Sequence, residues 1–586
     1  MKALLRALLF SFTAIAITGP ALAQSGATSA LQYAKQGWTL DDRQAFYTTS
    51  QGSHMIPYLW FKALRRLDVD EPFGGDQLAR YGYLPNEKSK LNPEGLPVGF
   101  VIDGDVNFGF LGMTCAACHT AQIEYQKEGV TQQLRIDGAP ATADFQSFLK
   151  DLTEAARATA NDDDRFDKFA RAALGNRFSA TRAKSLRTEF ADWVRQWGDV
   201  MDKSLPPSPW GPGRLDAFGM IFNRVAGKDL GIDANFKVAD APVSYPFLWN
   251  ASRQNRTQWN GGVPNGLFIN ALSRNSGEVL GVFADFKKPQ KATPPIDFSN
   301  NSIKFTGLQT LEEKIVILKP PPWPFELDQN LVDKGRVLYA RECGSCHEEK
   351  RLLQGTWLTP VLAVGTDPKM FDNTQRTSQA GVLAGAPSPN PPGSTLSDPA
   401  ATSDILATVV MGAMTNEAFP LPPKFPNLNG GVWLAIKKDL ADLISDQERV
   451  PNLLSLFNPE TRENLKSHVE KRLGDIFKVP GEPHAYESRV LHGVWATAPY
   501  LHNGSVPNLR ELLTPPAQRK PFFMVGSRKY DPVNVGYVTD ESPFKDGKLV
   551  VGGPDVVAGN SNAGHDFGTQ LTDDEKRQLI EYLKQL

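Results

Sequence analysis

Cysteine is scarce in this chain, with four among 586 residues, and all four fall in two C-x-x-C-H motifs. A disulfide, a zinc site and a thioredoxin-like redox pair all fit that distribution poorly, because each cysteine pair is followed at once by a histidine. Histidine is nearly as rare, eight in all, and none lies between His119 and His347. An excess of one charge is missing too. A formal net charge of −2 gives no footprint for nucleic acid or an anionic membrane surface. Beyond the extreme N-terminus no stretch reaches about 18 uninterrupted apolar residues, so no membrane span is expected in the mature chain. Proline and glycine, at 44 and 49, are plentiful without forming low-complexity tracts, which points to a loop-rich body.

What is present begins with the two motifs, Cys115-Ala116-Ala117-Cys118-His119 and Cys343-Gly344-Ser345-Cys346-His347. Cysteines three apart point the same way from one helical turn. Both thiols can then form thioethers to one haem while the next histidine rises under the iron. This spacing is the attachment signature of c-type haem. Two covalently attached haems are therefore expected, with Cys115, Cys118, Cys343 and Cys346 as attachment points and His119 and His347 as proximal iron ligands. Residues 1–23 read as an export signal: Lys2 and Arg6, an apolar run over 7–17, then Ala21-Leu22-Ala23. Thioether haem maturation also occurs outside the cytoplasm, so a periplasmic or secreted location is expected.

The length and the two motifs predict a mainly α protein with two cytochrome c-type haem domains and long loop-rich insertions. The expected division is a first domain over 24–318, a proline-rich linker over 319–324 and a second domain over 325–586. Helical apolar spacing marks 145–158, 163–174 and 182–197. A short haem helix is expected to begin near Phe110, and a helix over 331–341 to lead into the second motif. Thr572 with Glu575 three residues later is a capping box opening a terminal helix.

The histidine census bears on what else could bind each iron. An electron-transfer haem takes two strong axial ligands, yet no histidine follows the first motif within its own domain. An open sixth position is the reading favoured there, with Met201, Met220, His54 and Met55 as the side chains that could close it. For the second haem, His565 lies among glycines before the terminal helix, with Met524, Met411 and Met414 as alternatives. His502 sits in a rigid turn suited to a haem propionate. His468, His484 and His492 read as surface or capping residues.

Several further stretches carry a resemblance: Gly95-Leu96-Pro97-Val98-Gly99-Phe100, residues 112–120, Ile136-Asp137-Gly138, 245–261, 274–283, 495–513, Tyr530-Asp531-Pro532 and 559–568. In these, the chain resembles the di-haem cytochrome c peroxidase superfamily, with the strongest likeness to its rubber oxygenase (RoxA-like) branch. The resemblance implies a reactive N-terminal haem and an electron-transferring C-terminal haem with His565 as its distal ligand. It implies hydrogen peroxide or dioxygen as the oxidant and a small periplasmic electron donor as partner. Gln258, Trp259 and Glu278 are the nearest matches to the acid/base machinery, and a packing role fits each as well as a catalytic one. Ordinary peroxidases of this kind carry a loop histidine soon after the first motif, which this chain lacks. The expected activity is peroxidase-type. The alternatives are an oxygenase cleaving a polyisoprene-like substrate, favoured by the aromatic stretch 245–286, and a non-enzymatic electron carrier.

Overall fold

The computed structural model describes residues 28–348, 357–388, 393–420, 427, 429–444 and 484–586. The expected export signal and His468 lie outside them. The mainly α expectation does not hold: the chain is 41% helical and 15% strand, with many small sheets. The difference is largest around the first motif. Phe110–Met113, where a short helix is expected, is a strand paired antiparallel with Ile56–Pro57 and Phe100–Asp103. After the motif, Thr120–Lys127 pairs with Val130–Asp137 over eight residues. Glu128 and Gly129 join them with both φ values positive. That tight reversal matches the twist of the flanking strands. Helical periodicity cannot register such segments, since their hydrogen bonds depend on partners distant in sequence.

Where the apolar period is helical, helices form. Phe145–Asn161, Asp163–Leu174 and Ala180–Ser204 pack Phe148, Phe166, Phe169, Phe190 and Trp197 into one core cluster. A second cluster joins early and late parts of the chain. Trp38, Phe46, Ile136 and Trp249 meet Trp495, Tyr530, Leu579 and Leu583 there. The helix Gln329–Glu342 enters the second motif, and the terminal helix Asp573–Gln585 packs against it, opened by the expected Thr572–Glu575 box. A third cluster is built from Phe268–Gly281, Thr402–Ala418 and Gly431–Ile444. Among the described residues no helix is long and apolar enough to cross a membrane.

His54 ties distant segments together. Its Nε2 lies 2.7 Å from Asp103 and its Nδ1 2.7 Å from Asp285, while the ring stacks on Phe110. Burial alone would lower its pKa, but the two carboxylates outweigh burial and raise it to about 9. A raised histidine contributes stability below its unfolded pKa and loses it as pH climbs through the folded one. Wild-type melting temperature is therefore expected to fall between pH 6.5 and about 9. The same scan on His54→Gln should be flatter, and parallel curves would refute the assignment.

Candidate cofactor sites

The first motif is held by backbone contacts on both sides. Thr114 Oγ1 accepts from Ala116 N, opening the single turn Cys115–Ala117. Gly138 N donates to the His119 carbonyl and Ala141 N to that of Cys118, at 2.9 and 3.0 Å. The strand ending at Asp137 therefore delivers the clamp. Gly99 lies so close that a Cβ there would sit 2.0 Å from Ala117 N, and its φ of +79° favours glycine independently.

Cys115, Cys118 and His119 line one cavity, together with Tyr245, Phe247 and Phe283. No cysteine is in a disulfide. Burial pushes the Cys115 thiol well above its ordinary value and Cys118 up to about 12. His119 is pulled down to about 4 by burial, opposed by the Pro246 backbone acceptor, although its Nδ1 lacks a hydrogen bond of full geometry. A neutral imidazole is the form that ligates iron.

Gln258 and Glu278 are on the wall of this cavity. The helix Phe268–Gly281 carries Arg274 and Glu278 four residues apart, hence on one face. Its first amides are satisfied from a neighbouring helix, with Asp439 accepting from Phe268 N and Ile269 N. Arg274 is engaged by Glu312 at 2.6 Å and by Asn265 at 2.7 Å. Gln258, held at a φ of +67°, donates from Nε2 to Glu278 Oε1 at 2.8 Å. Left-handed backbone at a non-glycine residue is strained and gathers at functional sites. Burial raises the Glu278 carboxyl above its ordinary value, against the pull of Arg274. Trp259 points elsewhere: it lines the second cavity and donates from Nε1 to Ser244 O. The left-handed turn at Gln258 redirects the chain between the two side chains.

The side chains that could close the first site are dispersed. Both nitrogens of His54 are occupied by carboxylates, and Met201 is buried in the helical cluster. Met113 and Met220 line the cavity. Among its described lining residues His119 is the lone histidine.

The second cavity, about 1270 Å³, is lined by Cys343, His347, His502 and His565. Cys346 belongs to the same four-residue turn, Gly344–His347. Tyr339 donates to the His347 carbonyl, and His347 Nδ1 donates to the Arg489 carbonyl at 2.6 Å. The latter bond fixes the tautomer and leaves Nε2 for a metal. The rings of His347 and His565 face each other with centroids 6.5 Å apart. Two metal–nitrogen bonds of about 2 Å each, plus the two ring radii, fill that gap. Burial lowers His347, and burial together with His347 and Arg519 lowers His565 to about 4.

His565 is placed by residues that carry no sequence signal. Its amide donates to Val364 O. Arg519 grips the loop by donating to the carbonyls of Asn562, Gly564 and His565. At Gly564 a Cβ would come within 2.3 Å of Gly365 C. Met411 and Met414 lie in a helix of the third cluster, and no methionine is among the described lining of this cavity. His502 is buried against the Tyr486 ring and lowered to about 3 by burial and Arg214. His492 accepts through its carbonyl from Trp249, and the exposed His484 lies 3.7 Å from Asp372.

A half-buried pair of thiols beside a neutral histidine on one cavity wall is the donor set of a c-type haem protein. Residues 485–524 match a family model described as RoxA-like, cytochrome c-like. The match implies a c-type haem and places the chain among haem-related oxidoreductases. The uncharacterized protein y4iJ of Sinorhizobium fredii is 30% identical over 94% of this chain and 92% of its own length. A second uncharacterized protein of that organism, y4iM, is 24% identical over 66% of this chain and 74% of its own. The chain belongs to the family of y4iJ.

Proposed function

We propose that the chain is an exported di-haem c-type oxidoreductase that reduces hydrogen peroxide at the first cavity and takes electrons in at the second. The observation that carries this reading is the half-buried Glu278 carboxyl, oriented by Gln258, in the cavity that holds His119. The division into 24–318, 319–324 and 325–586 would give each cavity its own motif.

A haem bound there supplies an iron that can take up an oxygen donor and exchange electrons. His119 would hold that iron. Glu278 accepts a proton from one peroxide oxygen at its carboxylate and returns it to the other, while the Gln258 amide keeps the group in one orientation. Reduction of one H2O2 to two waters takes two protons from solvent and two electrons from an external donor. His347 and His565 would hold the second iron, with Trp259 and His502 at its margin.

The test is to feed the holoprotein hydrogen peroxide and a reduced small cytochrome and measure both. Two equivalents of the one-electron donor oxidised per peroxide are expected, and absence of peroxide turnover would overturn the reading. A second reading is favoured by the apolar wall of the first cavity, where Phe145, Phe218, Ile221 and Phe283 stand opposite few polar groups. It makes the protein an oxygenase acting on a polyisoprene-like substrate with dioxygen. Cleavage products from polyisoprene without added reductant would establish that instead.

A further inference from the structure

Arg489 stands in the wall that the two cavities share, together with Ser244, Tyr245, Phe247 and Glu487. It is 6% exposed. The guanidinium lies over the Phe247 ring at 4.0 Å, and Nη2 donates to Gln254 Oε1 at 3.1 Å. Nε and Nη1 are buried without a hydrogen-bond partner. Glu487 Oε2 approaches Nε to 3.5 Å, beyond good hydrogen-bond geometry. Burial also raises the Glu487 carboxyl to about 7, so the cation is incompletely balanced. A guanidinium has five N–H donors and accepts nothing. Leaving a buried donor unpaired costs about 1–3 kcal/mol, and more when the group is charged. Those donors are therefore set for an oxygen anion that is not part of the chain, and planar carboxylates suit the fork best.

We infer that Arg489 binds a propionate carboxylate from each of the two haems and so links the cofactors electrostatically. This rests on the two-haem reading. The same residue holds His347 through its carbonyl, so one position sets both the orientation of an iron ligand and the charge balance between the sites.

A cation near both carboxylates favours the reduced iron at each site. Redox titration of Arg489→Gln is expected to show both midpoint potentials lowered, and Arg489→Lys, which keeps the charge but not the fork, to restore them in part. Haem content per chain, measured as the pyridine haemochrome, runs alongside. Two haems with only one potential moved, or neither, would overturn the link alone. A count below two in the wild type would overturn the reading beneath it. A holoprotein crystal structure provides a check without substitution. A nitrogen of Arg489 should lie within hydrogen-bonding distance of a carboxylate oxygen of each haem, and failure at either haem refutes the inference.

Discussion

Glu278→Gln is expected to slow peroxide turnover by about 10²–10⁴-fold, the span over which a positioned acid/base group acts. The change is nearly isosteric, and Oε1 can still accept from Gln258, so the cavity wall should stay intact. What is lost is the ability to take and return a proton. Haem content and optical spectra should match wild type, separating this effect from misfolding. The pH profile adds a second readout. Because burial lifts the Glu278 carboxyl above its ordinary 4.5, the acid limb of wild-type activity should lie above the usual carboxylate range. Protonation below that limb removes the base, so activity falls as pH drops, and the limb should vanish in the variant. Unchanged turnover in Glu278→Gln would remove this carboxyl from the mechanism.

His565→Ala is expected to abolish the low-spin, six-coordinate signature of the second haem without reducing haem content. On the two-haem reading the anchoring bonds would come from Cys343 and Cys346, and the substituted side chain lies across the cavity from His347. Free imidazole added to the variant should restore the signature, because the vacated space has the shape of the missing ring. Arg519 grips main-chain carbonyls and should keep the loop in place after truncation. A variant spectrum identical to wild type would show that another group ligates that iron.

The parts of the structure that could be read from the sequence are those fixed by local spacing. The Thr572–Glu575 box needs only four consecutive residues, and it forms. The apolar period of 145–158 lies within Phe145–Asn161. The aromatics of 245–286 serve both roles their composition allows: Tyr245, Phe247 and Phe283 belong to the core clusters and also line the first cavity. Tertiary partners decided the rest. Phe110–Met113 is a strand because Ile56–Pro57 and Phe100–Asp103 flank it. Trp259 belongs to the other cavity because the left-handed turn at Gln258 redirects the chain and Ser244 O accepts from its indole. Arg489 and Arg519 were invisible beforehand: an arginine in an irregular segment has no periodicity to betray what it will grip.

Residues from late in the chain close both cavities. Glu487 and Arg489 complete the first, and Leu579 and Leu583 of the last helix seal the second. Biosynthesis thus has a fixed order of events. The first cysteine pair precedes Glu487 and Arg489 by hundreds of residues, and the second pair precedes Leu579 and Leu583 in the same way. Truncation before residue 487 would therefore strip wall from both cavities at once and not damage one of them alone.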